Sequence, residues 1–252
     1  MTIREAKRAE RQTMKDKSFK EKFNYWLDYN GLKALAIAFV AILLLTGIYQ
    51  MITRKETAFR SVFINANAST ESYDYMDNFG REMGIDLGEF QVLGDTSMQI
   101  GTGVENQMSG INSVELFAAQ YLSKEIDTVV APGDVFTMFA YQDCMIDLRE
   151  VYSEEQLSVL KPYLYYLDTK TLEKYTEQSL SHDGITIQLP NGRNPEKMED
   201  PIPVGIFLDD ATEEFYKLFH FTERDIVIGI AANSEHMDYA AAFPFYLLGL
   251  NP

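Results

Sequence analysis

The chain has 252 residues, a formal net charge of −16 and a single cysteine. A chain this acidic lacks the basic patches that nucleic-acid binding needs, and one cysteine excludes an intramolecular disulfide. Beyond residue 56 the chain is long enough for one compact domain that is held together by its hydrophobic core.

An apolar stretch, Gly31 to Ile52, lies near the N-terminus, and its central part, residues 34–48, carries no charge. A helix of about 20 residues crosses a hydrocarbon core of roughly 30 Å. Apolar side chains surround the helix axis on all sides, which favours a membrane span over the alternative, a buried helix of a soluble core. Since no small-x-small cleavage site follows directly, we expect an uncleaved signal anchor at residues 31–53.

The charge is distributed unevenly about this stretch. Residues 1–33 carry nine Lys or Arg and five acids, whereas the rest of the chain carries 13 Lys or Arg and 33 acids, a net charge of −20. The positive-inside rule therefore predicts a single-pass protein of the cell membrane, with a cytoplasmic N-terminus and an extracytoplasmic domain at residues 57–252.

Residues 1–30 are predicted to form a basic cytoplasmic segment that ends in an amphipathic helix. Phe19, Phe23 and Trp26 recur at helical spacing on one face, and Tyr29 suits the boundary between membrane and water. We expect these four side chains to lie at the membrane interface of the lipid bilayer, where they anchor the span. A dedicated partner site is the alternative.

Beyond the membrane, strand and helix patterns alternate. Strands are predicted at 59–65, 89–93 with 97–100, 127–131, 185–189, 204–208 and 226–231, and helices at 69–83, 113–126, 135–141, 153–164, 170–180, 210–219 and 239–248. Parallel strands need crossover connections, so the early βαβαβα alternation predicts an α/β fold. We expect three layers, with a parallel or mixed sheet that is covered by helices.

Three segments resemble a known family. They are DTVVAPGDVFTMFAYQDCMIDL (127–148), the helix SVELFAAQYLSKEID before it, and the tail from Ile226 through GIAANSEHMDYAAAFPFYLLG. Together they are similar to bacterial extracellular solute-binding proteins, the receptors of ABC importers. The resemblance implies a fold like one lobe of such a receptor, because residues 149–203 are too few for a full second lobe. It implies a polar small-molecule ligand, and as partner an ABC permease or another integral membrane protein.

In such a lobe, ligands sit at the carboxyl ends of parallel strands, where helices begin. Four turns are expected at that edge, and small or amide side chains in them suit hydrogen bonds to a polar solute. The candidate ligand-binding residues are Asn65, Asn67, Ser69, Thr102, Asp134, Asn233 and Ser234. The same side chains also suit ordinary turns and N-caps, and that alternative stays open.

The sequence carries only weak motifs for nucleotide binding, metal binding or catalysis. The GxG at Gly101 lacks a third glycine, Asp210 with Glu213 reads as a capping box, and the three histidines are isolated. Cys144 is predicted to be a small buried filler. We therefore expect no cofactor, no metal and no catalytic residue.

The expected function is non-catalytic binding of a polar solute, or docking on a transporter or sensor in the same membrane. The alternative is a structural interaction module of a bacterial envelope complex without a small-molecule ligand. A third hypothesis, a hydrolase, would require a triad-like cluster in the folded chain.

Overall fold

The computed structural model describes residues 18–53, 55–101, 107–180, 186–223 and 225–251, and the chain divides into two units, residues 1–54 and 55–252. The described part of the first unit holds one helix, α1 (Phe19–Thr53), which is continuous over 35 residues. Its segment Asn30–Tyr49 is long and apolar enough to span a membrane, and none of it is buried. The predicted interfacial helix and the predicted span thus form one uninterrupted helix.

The second unit is a three-layer α/β domain. Its described strands are β1 (Glu56–Phe63), β2 (Ala66–Ala68), β3 (Phe90–Asp95), β4 (Thr128–Pro132), β5 (Leu164–Asp168), β6 (Pro201–Phe207), β7 (Phe219–Phe221) and β8 (Ile226–Ile230). Its described helices are α2 (Ser72–Glu82), α3 (Gln107–Leu122), α4 (Gly133–Ala140), α5 (Glu154–Leu160), α6 (Thr169–Leu180), α7 (Glu213–Leu218) and α8 (Met237–Leu248).

Six strands form one mixed sheet in the order β3-β1-β4-β8-β6-β5, and β2 pairs with β7 in a small separate ribbon. β3, β1 and β4 are parallel, whereas β8 runs antiparallel to both β4 and β6, and β5 runs antiparallel to β6. The predicted α/β class with a mixed sheet is confirmed. The βαβ crossovers account only for the first half of the domain.

Each face of the sheet has its own hydrophobic core. Along β4, Val129 and Ala131 face one core, and Val130 between them faces the other, as the period of two in a strand requires. Helices α2, α5, α7 and α8 cover the Val130 face, and α3, α4 and α6 cover the opposite one.

Helix α5 begins with a side-chain cap. Ser153 caps the helix, and Gln156, three residues later, completes a capping box. The predicted helix 153–164, however, ends at Leu160, because Pro162 lies in a short 3-10 turn that leads into β5. Helix α8 continues through Pro244 without a break.

The predicted cap at Asp210 was wrong. Thr212 caps α7 by accepting a hydrogen bond from the Phe215 backbone N–H, so Asp210 lies outside the helix. Helix α2 begins after Glu71 and has no side-chain cap. Residues 186–189 form no strand, and residue 185 lies outside the described part of the chain.

Residues 149–203 were the only stretch expected to be available for a second lobe. They instead contribute α5, β5 and α6 to the one sheet and its helical layers.

Candidate functional site

A cleft lies at the edge of the sheet where β4 and β6 end and β8 begins. Pro132 at the end of β4 pairs with Ile226, and Phe207 at the end of β6 pairs with Val227. The cleft has a volume of about 470 Å³, which is within the usual range for small-molecule sites. Its lining includes Asp134, Tyr165, Arg193, Phe207, Glu223 and Asp225.

Helix α4 carries Asp134 to the cleft because its Phe136 is seated in the sheet. Gly205 of β6 and Gly229 of β8 leave a hollow for the Phe136 ring, and a Cβ at either glycine would lie 2.7 Å from it. The fully buried Phe136 also meets the Tyr165 ring edge to face at 5.0 Å. The start of α4 is therefore held firmly at the cleft.

One wall of the cleft is formed by Tyr165 of β5. Its hydroxyl lies 2.7 Å from the Thr137 hydroxyl, and burial raises the pKa of Tyr165 to about 12, so the phenol keeps its proton. Gly192 packs flat against this ring, since a Cβ there would lie 2.3 Å from it. The loop at residue 192 can therefore pack against the Tyr165 ring only because that residue is glycine.

The floor of the cleft is formed by Arg193 of the loop before β6. Its guanidinium lies 3.5 Å from the centre of the Phe207 ring and forms ion pairs of 2.8 Å with Asp209 and with Asp225. The hydrogen bonds with Asp209 and with Asp225 raise the pKa of Arg193 above its ordinary value. These contacts pair the cation with two carboxylates, so Arg193 holds Asp209, which follows β6, beside Asp225, which precedes β8.

Two carboxyl groups at the mouth of the cleft have no ion-pair partner among the described residues. They are Asp134 at the start of α4 and Glu223 in the loop before β8, and both line the cleft. Burial and the neighbouring Asp134 raise the pKa of Glu223 above its ordinary value. A second cavity of about 420 Å³ adjoins the first, since Glu223 and Asp225 line both.

Of the predicted ligand-binding residues, Asp134 alone lines this cleft. Asn65 follows β1 at the same edge, but its side-chain amide is used in two 2.7 Å hydrogen bonds with the Ile100 backbone. Asn67 is exposed in β2, opposite His220, and the backbone N–H of Ser69 donates to Leu218. Thr102 lies outside the described residues.

Asn233 and Ser234 lie at the opposite edge of the sheet. They were expected beside Asp134, but β8 is antiparallel to β4, so its carboxyl end meets the amino end of β4. There the Ser234 hydroxyl donates to the buried Asp127 carboxylate at 2.6 Å, and the Asn233 amide donates to the Tyr121 carbonyl at 2.6 Å. The structure therefore does not bring the predicted residues together in one site.

Asp127 is the centre of this second polar cluster. Its side chain is 2% exposed and accepts hydrogen bonds from the Arg60 backbone N–H at 2.8 Å and from Ser234, with His236 Nδ1 at 3.1 Å. Serine, histidine and aspartate do meet here, yet Ser234 is bonded to Asp127 and not to the imidazole. A nucleophilic triad needs the serine on the histidine, so the arrangement is a structural hydrogen-bond cluster that connects the turn before α8 with β1 and the start of β4.

No group of three or more metal-ligating side chains occurs among the described residues. The membrane-interface candidates all fall on α1, where Phe19, Phe23 and Trp26 are exposed and the last two rings stack at 6.3 Å. The side chain of Tyr29 lies outside the described part of the chain.

Sequence reasoning missed most of the cleft. Tyr165 lies in β5, whose run Leu-Tyr-Tyr-Leu has the aromatic content of a strand but was assigned in part to a helix. Arg193 lies between the predicted strands at 185–189 and 204–208, and no local pattern points to its partners Asp209 and Asp225, which are 16 and 32 residues away. The chain matches no protein-family model, and it matches neither a curated protein nor a solved structure.

Proposed function

We propose that this protein is a membrane-tethered binding protein whose α/β domain holds a polar small molecule without acting on it chemically. The observation that carries the proposal is the cleft of about 470 Å³ at the ends of β4 and β6, with its ring of charged and aromatic side chains. In open α/β sheets, ligands bind outside the carboxyl ends of the strands.

The similarity to solute-binding receptors supports the same function. A domain with one lobe would bind its ligand in an open cleft or pass it to an integral membrane partner such as an ABC permease. In this proposal α1 spans the membrane with the basic N-terminal segment in the cytoplasm, and residues 55–252 lie outside. The charge asymmetry of the two flanks supports that orientation.

A structural interaction module is the competing function. Such a module would present an apolar patch, whereas the exposed large apolar side chains described in the domain are spread over α2, α3, α5, α6 and α7. The cleft itself is polar and charged. Both features favour a solute over a docked protein.

The test is a thermal-unfolding screen of the full chain in lipid nanodiscs against polar nutrients and cell-wall fragments. Unfolding should be followed by circular dichroism, because the one tryptophan, Trp26, lies on α1 and not in the domain. A ligand at a hundredfold excess over its Kd stabilises the folded state by about 2.7 kcal/mol, a shift of several degrees.

Thr137→Leu and Thr176→Leu form a matched pair for this screen. Both threonines lie in helices and donate to the carbonyl four residues before them, but only Thr137 lines the cleft. A true cleft ligand should lose its stabilising effect in the first variant and keep it in the second. No stabilising compound in a broad library would contradict the proposed function.

The orientation needs a separate test. In a Cys144→Ser background, a cysteine introduced for the exposed Glu154 of α5 should react with a membrane-impermeant maleimide added to intact cells. Labelling only after the cells are opened would place the domain inside and overturn the orientation.

A further inference from the structure

A separate cavity, which we call the helix cavity, lies among helices α2, α7 and α8 on the Val130 face of the sheet. Its volume is about 360 Å³, at the lower end of the usual range for small-molecule sites. The residues that line it differ from those that line the cleft. Its lining includes Tyr75, Asn78, Arg81, Glu82, Glu214 and Tyr246.

The three helices are joined around the helix cavity by hydrogen bonds. The Tyr246 hydroxyl of α8 donates to the Tyr75 carbonyl of α2 at 3.3 Å. The Thr212 backbone N–H, just before α7, donates to the Leu247 carbonyl of α8 at 2.9 Å. The Tyr75 and Tyr246 rings also pack together, with their centres 5.0 Å apart. The walls of the cavity therefore hold one another in place.

The hydroxyl of Tyr75 is buried at this cavity and forms no hydrogen bond with a described residue. Tyr75 as a whole is 3% exposed. The Thr212 hydroxyl also lines the cavity, but it accepts from the Phe215 backbone N–H and does not pair with Tyr75. Burial raises the pKa of Tyr75, so the phenol keeps its proton. A buried donor without an acceptor is unfavourable, and a ligand oxygen in the cavity would supply the acceptor.

The exposed rim of the cavity carries one group that only donates hydrogen bonds and two that only accept them. Arg81 lies in the last turn of α2 next to Glu82, and Glu214 lies in the first turn of α7. Both carboxylates also help to raise the pKa of Tyr75, so its hydroxyl faces the same space. An anion would meet the two carboxylates, and a cation would meet the guanidinium. An uncharged ligand with several hydroxyl groups can accept from the guanidinium and donate to the carboxylates.

We propose that the helix cavity binds an uncharged saccharide, and that the Tyr75 hydroxyl donates a hydrogen bond to one of its oxygens. A saccharide carries several hydroxyl groups, each of which both donates and accepts, and its C–H groups suit contact with an aromatic ring such as that of Tyr246. The small volume suits one or two sugar units. This site is additional to the cleft and does not depend on the function proposed for it.

The experiment compares saccharides that share a ring and differ in charge. The full chain in lipid nanodiscs is screened by thermal unfolding with common uncharged mono- and disaccharides. Glucose and galactose are each compared with the corresponding amino sugar and uronate, and glutamine represents the zwitterions. Titration calorimetry gives Kd for each compound that raises the melting temperature. We expect an uncharged saccharide to bind at least tenfold more tightly than its charged relatives, a difference of about 1.4 kcal/mol.

Tyr75→Phe and Tyr152→Phe form the matched pair of variants. Both tyrosines are buried in the same core, and each variant removes one hydroxyl. The Tyr152 hydroxyl, unlike that of Tyr75, has a partner, because it donates to the Ala241 carbonyl at 2.9 Å. Tyr75→Phe should weaken saccharide binding at least tenfold without lowering the melting temperature of the protein alone. Tyr152→Phe should lower that melting temperature and leave Kd unchanged.

Several results would overturn the proposal. Saccharide binding that survives Tyr75→Phe would place the ligand elsewhere, and tighter binding of the charged relatives or of glutamine would exclude the assigned ligand class. A lower melting temperature of Tyr75→Phe without ligand would show that the hydroxyl already has a partner in the folded chain.

Thr137→Leu separates this proposal from the function proposed for the cleft. A saccharide bound in the helix cavity should bind this variant as it binds the native chain. A saccharide lost in Thr137→Leu and retained in Tyr75→Phe would belong to the cleft, which would support the proposed function and overturn the site in the helix cavity. If no saccharide stabilised the fold, the helix-cavity proposal alone would fall, since the cleft is tested with other polar ligands as well.

Discussion

The two ends of the central strands β4 and β8 both carry a polar cluster, and the clusters differ in how their carboxylates are satisfied. At one end Asp127 is buried and accepts three donors. At the other end Asp134 and Glu223 line an open cleft, and neither forms an ion pair with a described residue. A fully bonded buried carboxylate contributes to stability, whereas a carboxyl at an open cleft without an ion pair contributes little to it.

This comparison also changes how the serine, histidine and aspartate around Asp127 are interpreted. His236 is 35% exposed and could meet a solute, but Ser234 is committed to Asp127. A residue list would single out this cluster as catalytic. The bonding pattern assigns it a structural role, connecting the turn before α8 with β1 and the start of β4, and the less conspicuous cleft is the better candidate site.

The largest expected effect is on Asp127. Replacing it with alanine should lower the free energy of unfolding by about 3 kcal/mol, because the Arg60 N–H, Ser234 and His236 lose a buried acceptor together. Urea unfolding at unchanged m measures this. Asp134→Ala at the cleft is the matched variant and should change stability by less than 1 kcal/mol. Similar losses in both variants would contradict the contrast between the two ends.

Gly192→Ala should have the next largest effect, a loss of roughly 1 to 3 kcal/mol from overpacking against the Tyr165 ring. The cleft wall must move, so ligand binding should weaken as well. Trimming the ring in the double variant Gly192→Ala, Tyr165→Leu should recover part of the loss in a double-mutant cycle. If the losses in unfolding free energy of the two single variants simply added in the double variant, the contact between residue 192 and the Tyr165 ring would not be the cause of the loss.

Arg193→Ala should lower stability by about 1 kcal/mol, since the guanidinium is partly exposed and solvent screens its ion pairs. Arg193→Lys keeps the charge but loses the two-pronged bond to Asp209, and it should not restore the loss fully. Lys124→Ala removes the exposed ion pair with Glu235 outside the cleft and should have little effect. Denaturation of the Arg193 and Lys124 variants at low and at high salt measures these changes in stability.

We expect the smallest effect from Glu223, which makes the stability of the fold depend on pH. Its pKa is raised in the folded protein, so the folded state holds this proton more tightly than the unfolded state. Its contribution to stability is therefore greatest at low pH and declines as pH rises from about 4.5 through the raised pKa. The difference in stability between the native chain and Glu223→Gln, measured from pH 4 to pH 8, should follow this course. Asp134→Asn should reduce this pH dependence, because the Asp134 carboxylate helps to raise the pKa of Glu223.

Sequence patterns predicted the fold far better than the site. The apolar strands, the amphipathic helices and the Ser153 capping box depend on neighbours within a few residues, and these signals are local. Strand direction is not local: an all-apolar strand such as Ile226–Ile230 has the same pattern whichever way it runs. One reversed strand moved Asn233 and Ser234 to the far edge of the sheet.

The cleft depends on separations that no local pattern records. Arg193 meets Asp225 across 32 residues, and Thr137 meets Tyr165 across 28. Asp134 was predicted because it begins a helix directly after a strand, the one part of the cleft with a local signal. The others required the strand order β4-β8-β6-β5 to be known first.

That strand order has a consequence for how the chain folds during synthesis. β8, at residues 226–230, lies between β4 and β6, so the two halves of the sheet have no contact through strand pairing until it arrives. Pairing β4 with a strand about 100 residues later closes a long loop, and such contacts form slowly. A growing chain must therefore keep the apolar faces of β4 and β6 from aggregating until nearly all of it has been made, which implies a need for chaperone protection.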